Sequence, residues 1–193
     1  MNESLRFLRA FAQRPFATGA IAPSSRHLAA EMVAGSELGS ARTVVEIGPG
    51  TGALTRAILG ELSPDALLLA VELNPDFAIH LQATLPARVK VVNGSGEHLD
   101  EFLRGCGRAS ADCVVCGLPW ANFGRELQQR LMDGVLKGLR SGGCFSTFTY
   151  LHAVGLPYGR RFASMLRANF ASVERSPLVW KNLPPAFVYH CRR

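Results

Sequence analysis

The sequence predicts an α/β fold, a mostly parallel sheet with helices on both faces, and three observations carry that reading. From Thr43 onward short apolar runs alternate with helical stretches, as strand–helix–strand units do. A loop with glycine at every second position, Gly48-Pro-Gly50-Thr-Gly52, joins the first such run to the first such helix. Two later apolar runs, 171–180 and 185–191, are separated by Asn182-Leu-Pro-Pro185 and suit an antiparallel pair at the sheet edge.

The elements follow in order. Residues 3–14 place Leu5, Leu8 and Phe11 at helical spacing with Phe7 one turn before Phe11, while Arg6, Arg9 and Arg14 make the segment basic. Pro15 ends or bends this helix, and Ser24-Ser25 offers an N-cap for a second one reaching about Ala34. Strands are expected near 43–47, 67–72, 88–92, 112–116 and 143–150, with helices near 53–62, 75–84, 97–104 and 123–139. A last helix runs from Pro157 to about Asn169. The expected organisation is an N-terminal docking or lid segment, 1–34, and one α/β domain, 35–193.

Composition excludes several classes. A chain of 193 residues with 48% hydrophobic and 19% charged residues buries an ordinary core as one unit. No apolar run approaches the ~18 residues of a spanning helix, and arginines break every candidate signal-peptide core, so a cytoplasmic location is expected. The cysteines at 106, 113, 116, 144 and 191 form no disulfide framework. Cys113 and Cys116 sit three apart in a strand and point to opposite faces, which argues against a metal site. The charge of +6 is uneven: residues 151–193 hold seven basic groups against Glu174, whereas 31–150 are net acidic. Basic ends on an acidic body suit an anionic partner, either lipid headgroups or nucleic acid.

The chemistry centres on Glu46-Ile-Gly48-Pro-Gly50-Thr-Gly52 and on Glu72, which closes the next strand. Such a loop lets the backbone approach a ligand and aims helix N-terminal N–H groups at it, and an acid about 20 residues on accepts both ribose hydroxyls. The E-x-G-x-G-x-G pattern resembles motif I of the class I S-adenosylmethionine methyltransferases. That resemblance implies a Rossmann-like, seven-stranded domain with S-adenosylmethionine as cofactor and S-adenosylhomocysteine as product. It assigns Glu46, Gly48, Gly50 and Gly52 to the methionine part, Glu72 to the ribose and Leu73 to the adenine. Where the family often has Gly-Asp-Ala this sequence has Gly94-Ser95-Gly96 followed by Glu97, so Ser95 stands in place of the acid that receives the adenine amine, and the resemblance leaves Ser95 or Glu97 to supply the acceptor.

Strand four runs into Cys116-Gly117-Leu-Pro-Trp120-Ala-Asn122-Phe123, where a methyl acceptor belongs. Amino-nitrogen base methyltransferases, including rRNA adenine dimethyltransferases, resemble this with Asn-Leu-Pro-Tyr, but Gly117 replaces the asparagine. The Gly-Leu-Pro-x-x-Asn-Phe form, with Gly19-Ala-Ile-Ala-Pro-Ser-Ser-Arg26 and Val179-Trp180-Lys-Asn182-Leu-Pro-Pro185-Ala-Phe-Val-Tyr189, is closer to bacterial phospholipid N-methyltransferases. That family implies stepwise methylation of phosphatidylethanolamine towards phosphatidylcholine on the inner face of the cell membrane, with an anionic phospholipid surface as partner and neither nucleic acid nor metal. On this reading Tyr150 and Asn122 relay the proton of the amine. Gly117 borders the cofactor, Arg160, Arg161 or Lys181 meets the phosphodiester, and Trp120, Phe123, Tyr158 and Trp180 wall the headgroup. An RNA adenine-N6 methyltransferase, a non-catalytic S-adenosylmethionine-binding membrane adaptor, and methylation of a soluble amine or phenol are the alternatives.

Overall fold

Strand β1 (Thr43–Ile47) is buried along its whole length, with a parallel partner on each side, β2 (Leu67–Glu72) and β4 (Ala111–Cys116), and a hydrophobic core on each face. In the computed structural model, which describes residues 25–193, these strands belong to a seven-stranded sheet. The others are β3 (Val89–Asn93), β5 (Leu139–Tyr150), β6 (Ser172–Arg175) and β7 (Ala186–Arg192), and the order is β3-β2-β1-β4-β5-β7-β6. The first five strands run parallel, and β7 is antiparallel to both β5 and β6. The helices are α1 (Arg26–Ala34), α2 (Ala53–Glu61), α3 (Pro75–Thr84), α4 (Leu99–Gly105), α5 (Arg125–Gly138) and α6 (Pro157–Asn169). The amphipathic segment 3–14 and the rest of residues 1–24 lie outside the described residues.

The seven-stranded, mostly parallel architecture expected from the sequence is therefore present. Of the expected antiparallel pair, β6 lies at one edge of the sheet and its partner, β7, is an inner strand. The run read as 171–180 pairs over Ser172–Arg175 alone, and Val179 returns as an isolated bridge to Ala186 beyond Pro177, which has no N–H to donate.

Each face of the sheet carries its own core. Leu28, Ala29, Met32 and Val33 of α1 and Leu54 and Ile58 of α2 cover one, against Val44, Leu68, Cys113 and Val188. Leu99 and Leu103 of α4, Leu127, Leu131 and Val135 of α5, and Phe162 and Leu166 of α6 cover the other, against Val45, Val114, Cys116 and Tyr189. Cys113 and Cys116 thus fall on opposite faces. Burying side chains of this size stabilises by roughly 1.5–3 kcal/mol each.

Helix α1 begins where Ser25 Oγ accepts from Leu28 N and ends in a buried polar chain. Ser36 Oγ donates to Met32 O at 2.7 Å, lies 2.7 Å from Ser146 Oγ, and Ser146 Oγ lies 3.0 Å from His190 Nδ1. Because each hydroxyl has one proton, the order of donation is fixed: His190 donates from Nδ1 to Ser146, and Ser146 donates to Ser36. The chain ties α1 to β5 and β7.

Candidate active site

The order of the strands reverses between β1 and β4, so their ends leave a crevice with no helix crossing it. Gly48 follows β1 and Gly117 follows β4, and they meet across that gap. Gly117 N donates to Ile47 O at 2.8 Å, and a Cβ on Gly117 would stand 2.8 Å from Gly48 O. A Cβ on Gly48 would stand 2.6 Å from Leu118 Cδ2. The loop itself requires glycine, since φ is +74° at Gly48, +56° at Gly50 and +79° at Gly52. Beside Gly50 there is open space.

Glu72 binds this loop to the end of β2. Its Oε2 accepts from Gly50 N at 2.9 Å and its Oε1 from Asn74 N at 2.8 Å. A carboxylate has about four lone-pair sites, so acceptors remain for a diol. Burial pushes its pKa up, against the pull of the Asn74 and Gly50 N–H groups. Leu73 is half-buried against the α4–α5–α6 core.

Glu46 is fully buried, and among the described residues neither carboxylate oxygen has a hydrogen-bond partner. Burial pushes its pKa up to about 8; the Thr55 hydroxyl opposes that rise and the Glu72 charge adds to it. A buried carboxylate without a partner is costly, and a cation or a donor brought to it would be bound.

The turn after β3 is held from within. Ser95 Oγ donates to Glu97 Oε1 at 3.2 Å, and Arg130 Nε donates to Glu97 Oε2 at 2.7 Å. Glu97 is thus engaged by α5. Gly96 packs against that helix, because a Cβ on Gly134 would lie 2.3 Å from Gly96 O. Gly134 is a packing position that sequence reasoning missed.

Trp120 and Phe123, expected to wall a substrate, lie in the core instead. Trp120 is 0% exposed, stacked on Phe162 at 5.0 Å and edge-on to Phe145 at 6.1 Å, and Phe123 is buried beside them. The apolar residues of α6 and β5 cover these rings from far along the chain. The turn between them is braced by Gln128, whose Nε2 donates to Trp120 O at 2.6 Å and whose Oε1 accepts from Arg161 Nε at 3.1 Å. Arg161 also donates to Phe123 O at 3.3 Å. It is therefore a brace within the fold. Gln128 escaped the sequence reading, although a glutamine beside Leu127 and Leu131 on an apolar stripe was a signal.

Asn122 is exposed on this turn. Tyr150, at the end of β5, contacts Phe148 edge-on at 5.2 Å and stacks with His152 at 5.6 Å. Burial pushes its phenol up to about 12. No hydrogen bond among the described residues joins Tyr150 to Asn122.

Beyond Tyr150 the same end of the sheet is apolar and open. Leu151 N donates to Pro185 O at 2.9 Å, which brings the turn after β5 beside the connection from β6 to β7. On these segments Trp180 is 70% exposed, Leu183 is 81% exposed, and Leu151 and Leu156 are exposed too. Lys181 lies between the first two, also exposed. Tyr158 is half-buried and Arg160 exposed at the start of α6.

A glycine loop over a buried acid, with a second acid closing β2, defines an α/β enzyme that binds an adenosine cofactor at the switch point. Residues 24–99 match the family model for ribosomal RNA adenine dimethylase. Over 194 aligned residues the chain is 34% identical to the ornithine lipid N-methyltransferase of Singulisphaera acidiphila, covering 100% of this chain and 97% of that protein. It is 36% identical to ribosomal RNA small subunit methyltransferase A of Synechococcus over 101 residues, 52% of this chain and 35% of that one. Among solved structures, an O-methyltransferase from Bacillus cereus in complex with S-adenosylhomocysteine superposes with a TM-score of 0.63 at 16% identity, over 100% of this chain and 92% of that one. TomG from Streptomyces achromogenes, in complex with S-adenosylmethionine, gives 0.62 at 21%, over 99% and 90%. The chain belongs to the class I S-adenosylmethionine-dependent methyltransferases, in one family with the lipid N-methyltransferase that it matches end to end.

The residues present fit that cofactor. Glu46 is a buried acceptor without a partner, as an ammonium group requires, Glu72 keeps acceptors for a ribose, and the space beside Gly50 admits a ligand against the backbone.

Proposed function

We propose that this methyltransferase acts on the amine of a membrane lipid, phosphatidylethanolamine and its mono- and dimethyl derivatives, towards phosphatidylcholine. One observation carries the reading. The end of the sheet that bears the glycine loop also exposes Trp180, Leu183, Leu151 and Leu156 beside Lys181. Apolar tips flanked by a cation suit a headgroup region. The basic apolar sequence of residues 3–14 is the second docking segment in this reading, within the N-terminal 1–34, and it sets the enzyme on the inner face of the membrane.

When bound, S-adenosylmethionine supplies an electrophilic methyl group on a sulfonium. Glu46 and the backbone at Gly48, Gly50 and Gly52 hold its methionine part, Glu72 its ribose, and Leu73 packs on the adenine. Ser95, Gly96 and Glu97 form the adenine end, and Gly117 borders it. The lipid amine attacks only when neutral, and Tyr150, with its phenol raised by burial, stays protonated near neutral pH. Its hydroxyl oxygen and the Asn122 carbonyl accept hydrogen bonds from the amine, and the proton leaves through water at the open rim. Tyr158, Trp180 and Lys181 flank the entering headgroup.

The end-to-end relative favours a second reading, in which the acceptor amine belongs to ornithine lipid. Incubating the protein with labelled S-adenosylmethionine and vesicles of either lipid separates the two. Methylated phosphatidylethanolamine is the expected product. Label confined to ornithine lipid installs the second reading, and label on small-subunit rRNA with none on lipid ends both.

A further inference from the structure

We propose that Arg160, Arg167 and Arg175 form a phosphate-binding site apart from the methyl-transfer centre, taking a phosphomonoester or phosphodiester group. These side chains, with Ser164 and Tyr189, line a cleft of about 270 Å³ between α6, β6 and β7. Arg160, Ser164 and Arg167 stand four and three residues apart on α6 and so share one face of it. The helix start is fixed against the preceding turn, since a Cβ on Gly159 would lie 2.0 Å from Ala153 O. Arg175 comes from β6, with its guanidinium over the Phe187 ring at 5.1 Å and the Tyr189 ring at 5.4 Å.

What marks the cleft is its charge. Four arginines elsewhere are each paired with an acid, Arg104 with Asp100, Arg130 with Glu97, Arg140 with Asp112 and Arg192 with Glu37, whereas here three converge on one concavity. Among the described residues no carboxylate forms an ion pair with Arg160, Arg167 or Arg175, and no acid lines the cleft. Glu174, next to Arg175, pairs in register with His190 on the other face of the strand. Like charges gathered without a counter-ion are unfavourable, and the guanidinium forks match a tetrahedral anion.

The β6 side of the site, which carries Arg175, is not where a reacting lipid would keep its phosphate. β6 lies three strand spacings from β4, roughly 14 Å. The amine and phosphate of an ethanolamine headgroup are joined by two carbons and cannot span that separation. The inference therefore does not rest on which amine is methylated.

Inorganic phosphate and vesicles of phosphatidic acid in phosphatidylcholine are the probes. At constant ionic strength, phosphate should raise the melting temperature above that in chloride. Arg167→Gln with Arg175→Gln should weaken phosphate binding at least about tenfold, while S-adenosylmethionine binding stays unchanged. Arg42→Gln with Arg108→Gln, the same charge change at exposed sites elsewhere, should leave the phosphate response intact. A parallel loss of phosphatidic acid vesicle binding identifies a lipid headgroup as the source; undiminished vesicle binding identifies a free phosphate compound. Should the glutamine pair not fold, Arg167→Lys with Arg175→Lys keeps the charge and removes the forks, and it too should weaken phosphate binding. Equal phosphate responses in the wild type and both cleft pairs, or no response in the wild type, would overturn the proposal.

Discussion

Glu46 and Trp180 lie towards the same end of one sheet, yet the first is 0% exposed and the second 70%. Around Glu46 the β1–β2 half is made of backbone: three glycines at positive φ, a carboxylate clasping two N–H groups, and a strand junction too tight for a Cβ. Around Trp180 the β5–β7 half is made of side chains on exposed turns, aromatic, aliphatic and cationic. The first half has a shape that few substitutions leave intact. The second has a surface character that many substitutions would keep, so acceptor preference can drift while the cofactor half stays fixed.

The two tryptophans test that contrast most sharply. Trp120→Ala should cost about 3–5 kcal/mol of unfolding free energy, as loss of a large core side chain does, read by urea denaturation. A cost below about 1 kcal/mol would return Trp120 to the substrate side.

The next effect comes from Glu46. Its folded pKa, about 8, stands above the ordinary 4.5, so its contribution favours folding at low pH and is lost as pH rises from about 4.5 through about 8. The melting temperature of the cofactor-free protein should carry that decline, and Glu46→Gln should flatten it. An unchanged slope in the variant would place the titration elsewhere.

Glu72→Ala should weaken S-adenosylmethionine binding roughly tenfold to a hundredfold, because Gly50 N and Asn74 N lose their acceptor together with the ribose. Calorimetry reads it, and an unaltered affinity would separate β2 from the cofactor site. The smallest effect on stability belongs to Trp180→Ala, within about 0.5 kcal/mol, with weaker sedimentation on phosphatidylethanolamine vesicles containing anionic lipid. Intact vesicle binding in that variant would leave the exposed rim without its assigned role.

The same contrast explains what the sequence disclosed. β1 and β2 read to the residue, because strands buried on both faces are largely apolar, broken in β1 only by Glu46, and end before Gly48 and at Glu72. β5 begins at Leu139, ahead of the expected 143, because Arg140, Ser141 and Gly142 carry no apolar run that marks a strand; Gly142 and Gly143 pair with the far end of the chain. They are drawn into the strand by bonds to Arg193, with Gly142 N donating to its carbonyl at 2.8 Å. The glycines and acids of the loop form a local pattern and were legible. Trp120 was not, since the rings that bury it come from residues 145 and 162. The arginines of the edge cleft are likewise scattered from 160 to 175, and only their charge excess showed in the sequence.

The position of β7 has a consequence for how the molecule is made. β6 leaves the ribosome before β7, its one sheet partner among the described residues, and β5 waits for the same strand on its outer side. The glycine loop and its two acids need only β1, β2 and β4 and can be assembled early in translation. Any polypeptide released before Ala186 would hold a formed nucleotide crevice beside a long unpaired edge, the form most exposed to self-association and to cellular proteases.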